Sequence, residues 1–203
     1  IKYPIDENLK ISSIRQDEPL GLGHAILTAK HILNMEPFVV MLPDELLIRK
    51  SNKNDLKKLI TNFQETGTAQ ILVEKILKKD TSKYGMVESK KIRRTFSSFA
   101  VSRLLEKPQP EDTMSSYRII GRYVLPYEVI ENLERQKPGK NKEIQLTDAI
   151  NRLLFNKINK IDAVISSSKV YDCGSKKGFV GANLEIAMKQ SGMKKYLKGI
   201  IMN

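Results

Sequence analysis

The sequence predicts an α/β fold in which a mostly parallel sheet is flanked by helices. Three observations predict it. Apolar runs of strand length alternate with segments of helical periodicity along the chain. Cap residues and glycine or proline stops fall between those segments, leaving short connections. At 203 residues and 40% hydrophobic content, the chain is long enough for one sizeable core and too apolar for disorder. No repeat or low-complexity linker divides the sequence, so residues 1–203 are expected to form one domain.

The elements follow in order. "GHAILTAKHIL" (23–33) puts Ile26, Ala29 and Leu33 on one helical face. Phe38 to Leu42 reads as a buried strand that runs into Pro43 and Asp44. Asn54 can cap "DLKKLITNF", where Leu56, Leu59, Ile60 and Phe63 share a face, and Gly67 closes that helix. "AQILVEKI" (69–76), "FAVSRLLE" (99–106) and "YRIIGRYVL" (117–125) are strand-like. Pro126 ends the last of these and opens the helix "YEVIENLE". After the loop "RQKPGKNKE", Thr147 is placed to cap "DAINRLLF". "IDAVIS" is a strand, "YDCG" a turn and "KGFVGANLEIAMKQ" a helix. Residues 191–203 form an amphipathic C-terminal segment, expected to be helical and to pack on the core or on a second subunit.

Composition removes several classes of function. The longest apolar run falls far short of the roughly 20 residues that span a bilayer. One cysteine, Cys173, excludes an internal disulfide and fits a reducing, cytoplasmic setting. The net charge of +12 raises the question of nucleic acid, but 26 lysines against 9 arginines, spread along the chain with few aromatics, argue against it. The basic run "SKKIRRTFSS", with its cluster at 89–94, has no assigned role. His24 and His31 form no zinc signature, and Cys173 has no neighbouring histidine to activate it.

Four sites carry possible chemistry. "PLGLGHA" (19–25) has two glycines before a helix, which suits close approach of a ligand or a plain tight turn. Asp44 follows a buried strand, where open α/β sheets bind ligands, and is a metal ligand, a solvated turn residue or the N-cap of a following helical turn. Asp172 in "KVYDCGS" is a second carboxylate for Mg²⁺ or a helix cap. In "LLEKP" the proline biases Lys107 toward extended geometry, so that Glu106 and Lys107 point to opposite faces. That pair is a surface ion pair or a lysine aimed at a phosphate.

Taken together, "IRQDEPLGLGHAIL", "EPFVVMLPDELL", "YGMVE", "EKP", "IIGRYVLP", "EIQLTDAI" and "YDCGSKKGF" resemble the bacterial UTP–glucose-1-phosphate uridylyltransferases, from about Ile14 to Gly181. The resemblance implies a Rossmann-like nucleotide-diphospho-sugar transferase fold. It implies transfer of a uridylyl group from UTP to glucose 1-phosphate, giving UDP-glucose and pyrophosphate. Asp44 and Asp172 would hold Mg²⁺, and Lys107 would pair with the sugar phosphate. Gly85, Glu106 and Gly121 would line the glucose site, with Gln16 and the Gly21 backbone on uracil. A homo-oligomer is expected.

The family's G-x-G-T-R loop has no counterpart here. An N-terminally truncated sheet is therefore expected, and residues 1–203 alone are expected to turn over poorly. A different sugar-1-phosphate nucleotidyltransferase, such as a thymidylyltransferase, and a silent binding fragment are the competing expectations.

Overall fold

Two strands buried on both faces organise the molecule. β3 (Ala69–Lys75) and β7 (Tyr117–Leu125) pair antiparallel in the middle of a sheet with seven strands among the described residues. The computed structural model describes residues 8–89, 97–139, 142–155 and 160–201. Along β3, Ala69, Ile71 and Val73 enter one core, while Leu72 enters the other. That alternation is what a strand covered on both sides requires.

Helix α2 (Asp55–Thr66) covers one face. Its Leu56, Leu59, Ile60 and Phe63 pack on Leu72, Ile120, Val124 and Val164. The sequence sets this helix locally: the Asn54 side chain accepts from the Lys57 N–H, and Gly67 closes it at φ +64°. On the other face lie α1 (Leu22–Thr28), α3 (Glu128–Glu134) and α4 (Leu146–Phe155), which bury Ile26, Val129, Ile130, Leu133, Ala149, Ile150 and Leu153.

The strand directions differ from the expected mostly parallel sheet. Among the described residues β3 and β8 (Ile161–Ile165) are the parallel pair, and the other pairings are antiparallel. β7 is the cause. It runs against β3 on one side, and against β1 (Phe38–Met41) and β4 (Gly85–Glu88) on the other.

The run 99–106 is also two strands rather than one. β5 (Ser98–Ala100) pairs with β8, and β6 (Arg103–Glu106) pairs with β4, at opposite ends of the strand order. The chain from Ala100 to Arg103 reaches about 11 Å at most. The sheet must therefore curl until its two ends nearly meet. Val101 N–H bonds Ile161 O and Ser102 N–H bonds Glu88 O across that junction, at 2.8 Å each.

A separate ribbon joins β2 (Glu45–Ile48) to β9 (Lys169–Asp172), pairing Glu45 with Asp172. It leads to α5 (Lys176–Met188), capped by Ser175, and then to α6 (Met193–Ile201). Thr147 lies inside α4 instead of capping it, and its hydroxyl is used elsewhere. Residues 90–96, which hold most of the basic run, lie outside the described residues.

Candidate active site

A cavity of about 330 Å³ opens where β1, β4, β6, β7 and the β2–β9 ribbon converge. One wall is acidic. Beyond β1 the chain turns through Leu42–Pro43–Asp44 into β2, and main-chain atoms are tied down at each step. Leu42 N–H donates to Gly121 O at 2.8 Å, and Cys173 N–H donates to Asp44 O at 2.7 Å. The Arg122 guanidinium spans the turn, donating to Leu42 O at 2.7 Å and Glu45 O at 2.6 Å. Gly121 makes room for it: a Cβ there would lie 2.4 Å from Leu42 Cγ.

The turn and the ribbon bring Asp44 and Asp172 together. A Cβ added at Gly174 would sit 3.1 Å from Asp172 Oδ1 and 3.2 Å from Asp44 Oδ2, so the two carboxylates converge on one glycine. Asp172 Oδ1 accepts from Gly174 N–H at 3.0 Å, and Oδ2 accepts from the Tyr84 hydroxyl at 3.1 Å. No cluster of three or more His, Cys, Asp or Glu side chains suited to a metal occurs among the described residues. Two carboxylates and no softer donor do not make a closed zinc cage. They do fit a hard divalent cation that takes its remaining ligands from water and phosphate oxygens.

Behind this wall lies a buried charge cluster. Arg118, 2% exposed, donates to Glu45 Oε1 at 2.5 Å and Oε2 at 3.1 Å, and to Glu74 Oε1 at 2.7 Å. Burial pushes the Glu45 carboxyl up, against the opposing pull of Arg118.

The opposite wall carries Gly85, Glu106 and Lys107. Gly85 opens β4 and pairs with Glu106 at the end of β6. Thr147 Oγ1 donates to Glu106 Oε2 at 3.2 Å. Burial pushes the Glu106 carboxyl up, with Lys107 and the Thr147 bond opposing. Lys107 is not extended: its φ is +46°, and its N–H bonds Tyr84 O at 3.2 Å. Because the chain turns there, Glu106 and Lys107 line the same cavity instead of opposite faces.

The structure thus gathers Asp44, Gly85, Glu106, Lys107, Gly121 and Asp172 around one space. Gln16 and Gly21 do not line it; they lie beside its rim residues Leu22 and Glu143. Gly21 (φ +92°) and Gly23 let the chain press on residues 143–144, where a Cβ would come within 2.9 Å and 2.5 Å of the neighbouring atoms. The Gln16 amide donates to Gly21 O at 3.2 Å and meets His24 Nδ1 at 2.9 Å. Tyr84 and Arg122 are contributors that the sequence did not single out, and Thr147 is one it offered only as a helix cap. For Tyr84 the only local sign was its place in "YGMVE".

Residues 2–189 match the nucleotidyl transferase family. A UTP–glucose-1-phosphate uridylyltransferase of Streptococcus pyogenes serotype M3 is 42% identical across 98% of this chain and 67% of its own length. The UTP-bound UGPase of Acinetobacter baumannii superposes with a TM-score of 0.84 at 34% identity, over 98% of this chain and 67% of that one. A UDP-glucose pyrophosphorylase complexed with UDP-glucose gives 0.82 at 35% identity, over 88% and 66%. The chain spans about two thirds of the length of these relatives.

Proposed function

The chain belongs to the UTP–glucose-1-phosphate uridylyltransferases, and from that membership we propose that the cavity is where UTP and glucose 1-phosphate become UDP-glucose and pyrophosphate. The observation that carries this reading is the convergence of Asp44 and Asp172 on Gly174, across one cavity from Glu106 and Lys107. Relatives of the same fold, bound to UTP and to UDP-glucose, support it.

A phosphate oxygen of glucose 1-phosphate attacks the α-phosphorus of UTP. A new O–P bond forms while the bond from the α-phosphorus to the bridging oxygen of pyrophosphate breaks. The attacking phosphate is already ionised, so no general base is needed. Catalysis is mainly positioning and charge neutralisation. Asp44 and Asp172 would hold Mg²⁺, which when bound offsets negative charge on the phosphate oxygens. Lys107 takes the sugar phosphate and relieves repulsion between two anionic substrates. Glu106, oriented by Thr147, accepts from glucose hydroxyls, with Gly85 and Gly121 leaving space for the ring. Gln16 Oε1 and the Gly21 N–H make no hydrogen bond among the described residues, which leaves an acceptor and a donor for the uracil edge. The lone Cys173 suits a cytoplasmic enzyme.

Titration calorimetry tests the metal side. UDP-glucose should bind the wild-type chain more tightly with Mg²⁺ than in EDTA. Asp44→Asn should remove that difference, while its affinity in EDTA should not fall below the wild-type value, because one negative charge beside the diphosphate is gone. An unaltered Mg²⁺ effect in Asp44→Asn rules out this role for the residue.

A further inference from the structure

We propose that Tyr84 is a positioning residue whose hydroxyl fixes the Asp172 carboxylate in the orientation that receives the cation. The proposal rests on the reading of the cavity given above. Asp172 stands at the last position of β9, where an aspartate left to itself samples several rotamers. Here a donor meets each oxygen: Gly174 N–H on Oδ1 at 3.0 Å, and the Tyr84 hydroxyl on Oδ2 at 3.1 Å. The first donor comes from the same turn and moves with it. The second comes from the residue just before β4, 88 residues away in sequence, and ties the ribbon to the edge of the main sheet.

Tyr84 is itself held at three points. Its ring lies over the Arg118 guanidinium, 4.3 Å from the ring centroid. That guanidinium is fixed by Glu45 and Glu74, so the ring cannot swing away without giving up a buried cation–π contact. The Tyr84 carbonyl accepts from Lys107 N–H, and its own N–H bonds Thr81 O, at 3.2 Å each. A rigid phenol therefore reaches from the Lys107 wall to the Asp172 wall. Each Asp172 oxygen keeps a further lone pair after these bonds, so the arrangement orients the carboxylate without using it up. Outer-shell hydrogen bonds of this kind set the affinity of the ligands they hold.

The test measures Mn²⁺ binding by electron paramagnetic resonance, with UDP-glucose present, in the wild type, Tyr84→Phe, Asp172→Asn and the double variant. Tyr84→Phe should weaken Mn²⁺ binding about 10- to 100-fold. Its UDP-glucose affinity in EDTA should stay at the wild-type value, and it should still unfold in one cooperative transition, lowered by no more than the loss of that one hydrogen bond. Adding Tyr84→Phe to Asp172→Asn should cost nothing further, because the tyrosine acts through that carboxylate. An unchanged Mn²⁺ affinity in Tyr84→Phe overturns the proposal, and so does an undiminished loss in the double variant. Should Asp172→Asn itself bind Mn²⁺ as the wild type does, the reading of the cavity falls and the role of Tyr84 falls with it. A loss in Asp172→Asn without one in Tyr84→Phe removes only the role of Tyr84.

Discussion

Gly121 shows how one missing side chain can serve the site twice, in its lining and in the turn packed on it. Leu42 packs onto it, and that contact seats the turn carrying Asp44. Gly121→Ala should cost about 1–3 kcal/mol in urea unfolding, as overpacking does. It should also weaken Mg²⁺-dependent UDP-glucose binding, and Leu42→Ala in the same chain should restore part of both. Full stability and binding in the single variant would show that Leu42 does not hold the turn. Lys107→Ala is the complementary case at the sugar side. Loss of a charge-assisted hydrogen bond worth about 1.5–3 kcal/mol predicts roughly tenfold to a hundredfold weaker glucose 1-phosphate binding. UTP binding should be little affected; an equal loss for both ligands would mean that Lys107 faces the nucleotide. Asp44 and Lys107 were legible in the sequence because a charged residue at the end of an apolar strand is a local pattern, whereas Asp172 was legible only as a second carboxylate in a turn before a helix. Tyr84 and Arg122 were not, because their partners lie 88 and 77–80 residues away. The left-handed turn at Lys107 was missed because proline argues locally for extended backbone, whereas the bond to Tyr84 O is a tertiary one.

The helices that were legible as elements carry their own punctuation, as α2 does with Asn54 and Gly67. Strand pairing carries none. Only the polar pair Ser102–Arg103 interrupts "FAVSRLLE" between β5 and β6, and such a pair is equally at home within one continuous strand. Strand direction is likewise silent, because alternating segments can be paired either way. One connection between elements makes a sharp prediction. Asp55, at the start of α2, accepts hydrogen bonds from Ser166, Ser167 and Ser168, in the link between β8 and the strand that bears Asp172. Burial raises its carboxyl, but these bonds outweigh it and hold it below the ordinary 3.8. A depressed acid contributes its stability above the unfolded value and loses it as pH falls through the folded one. Asp55→Ala should therefore cost about 2–3 kcal/mol at pH 7. The gap from wild type should narrow on acidification below about pH 4. A gap constant from pH 7 down to pH 3 would show that the ionised carboxylate is not what organises the serine loop.

At the scale of the whole molecule, the charge distribution is informative. The chain carries +12, yet its cavity is lined by Asp44, Glu45, Glu106, Glu143 and Asp172 against only Lys83 and Lys107. A cavity of that sign does not attract a sugar nucleotide diphosphate unaided; it needs the cation that its two convergent aspartates are placed to hold. The curled sheet is what makes the arrangement possible, since it brings β6, with Glu106 and Lys107 at its end, around to face the β2–β9 ribbon. The most direct measurement is a crystal structure of the chain with UDP-glucose and Mn²⁺, read by anomalous scattering. A manganese peak is expected between Asp44 and Asp172, with the diphosphate reaching toward Lys107 and the glucose ring over Gly85 beside Glu106. Manganese bound away from both aspartates, or a sugar nucleotide seated outside this cavity, would contradict it.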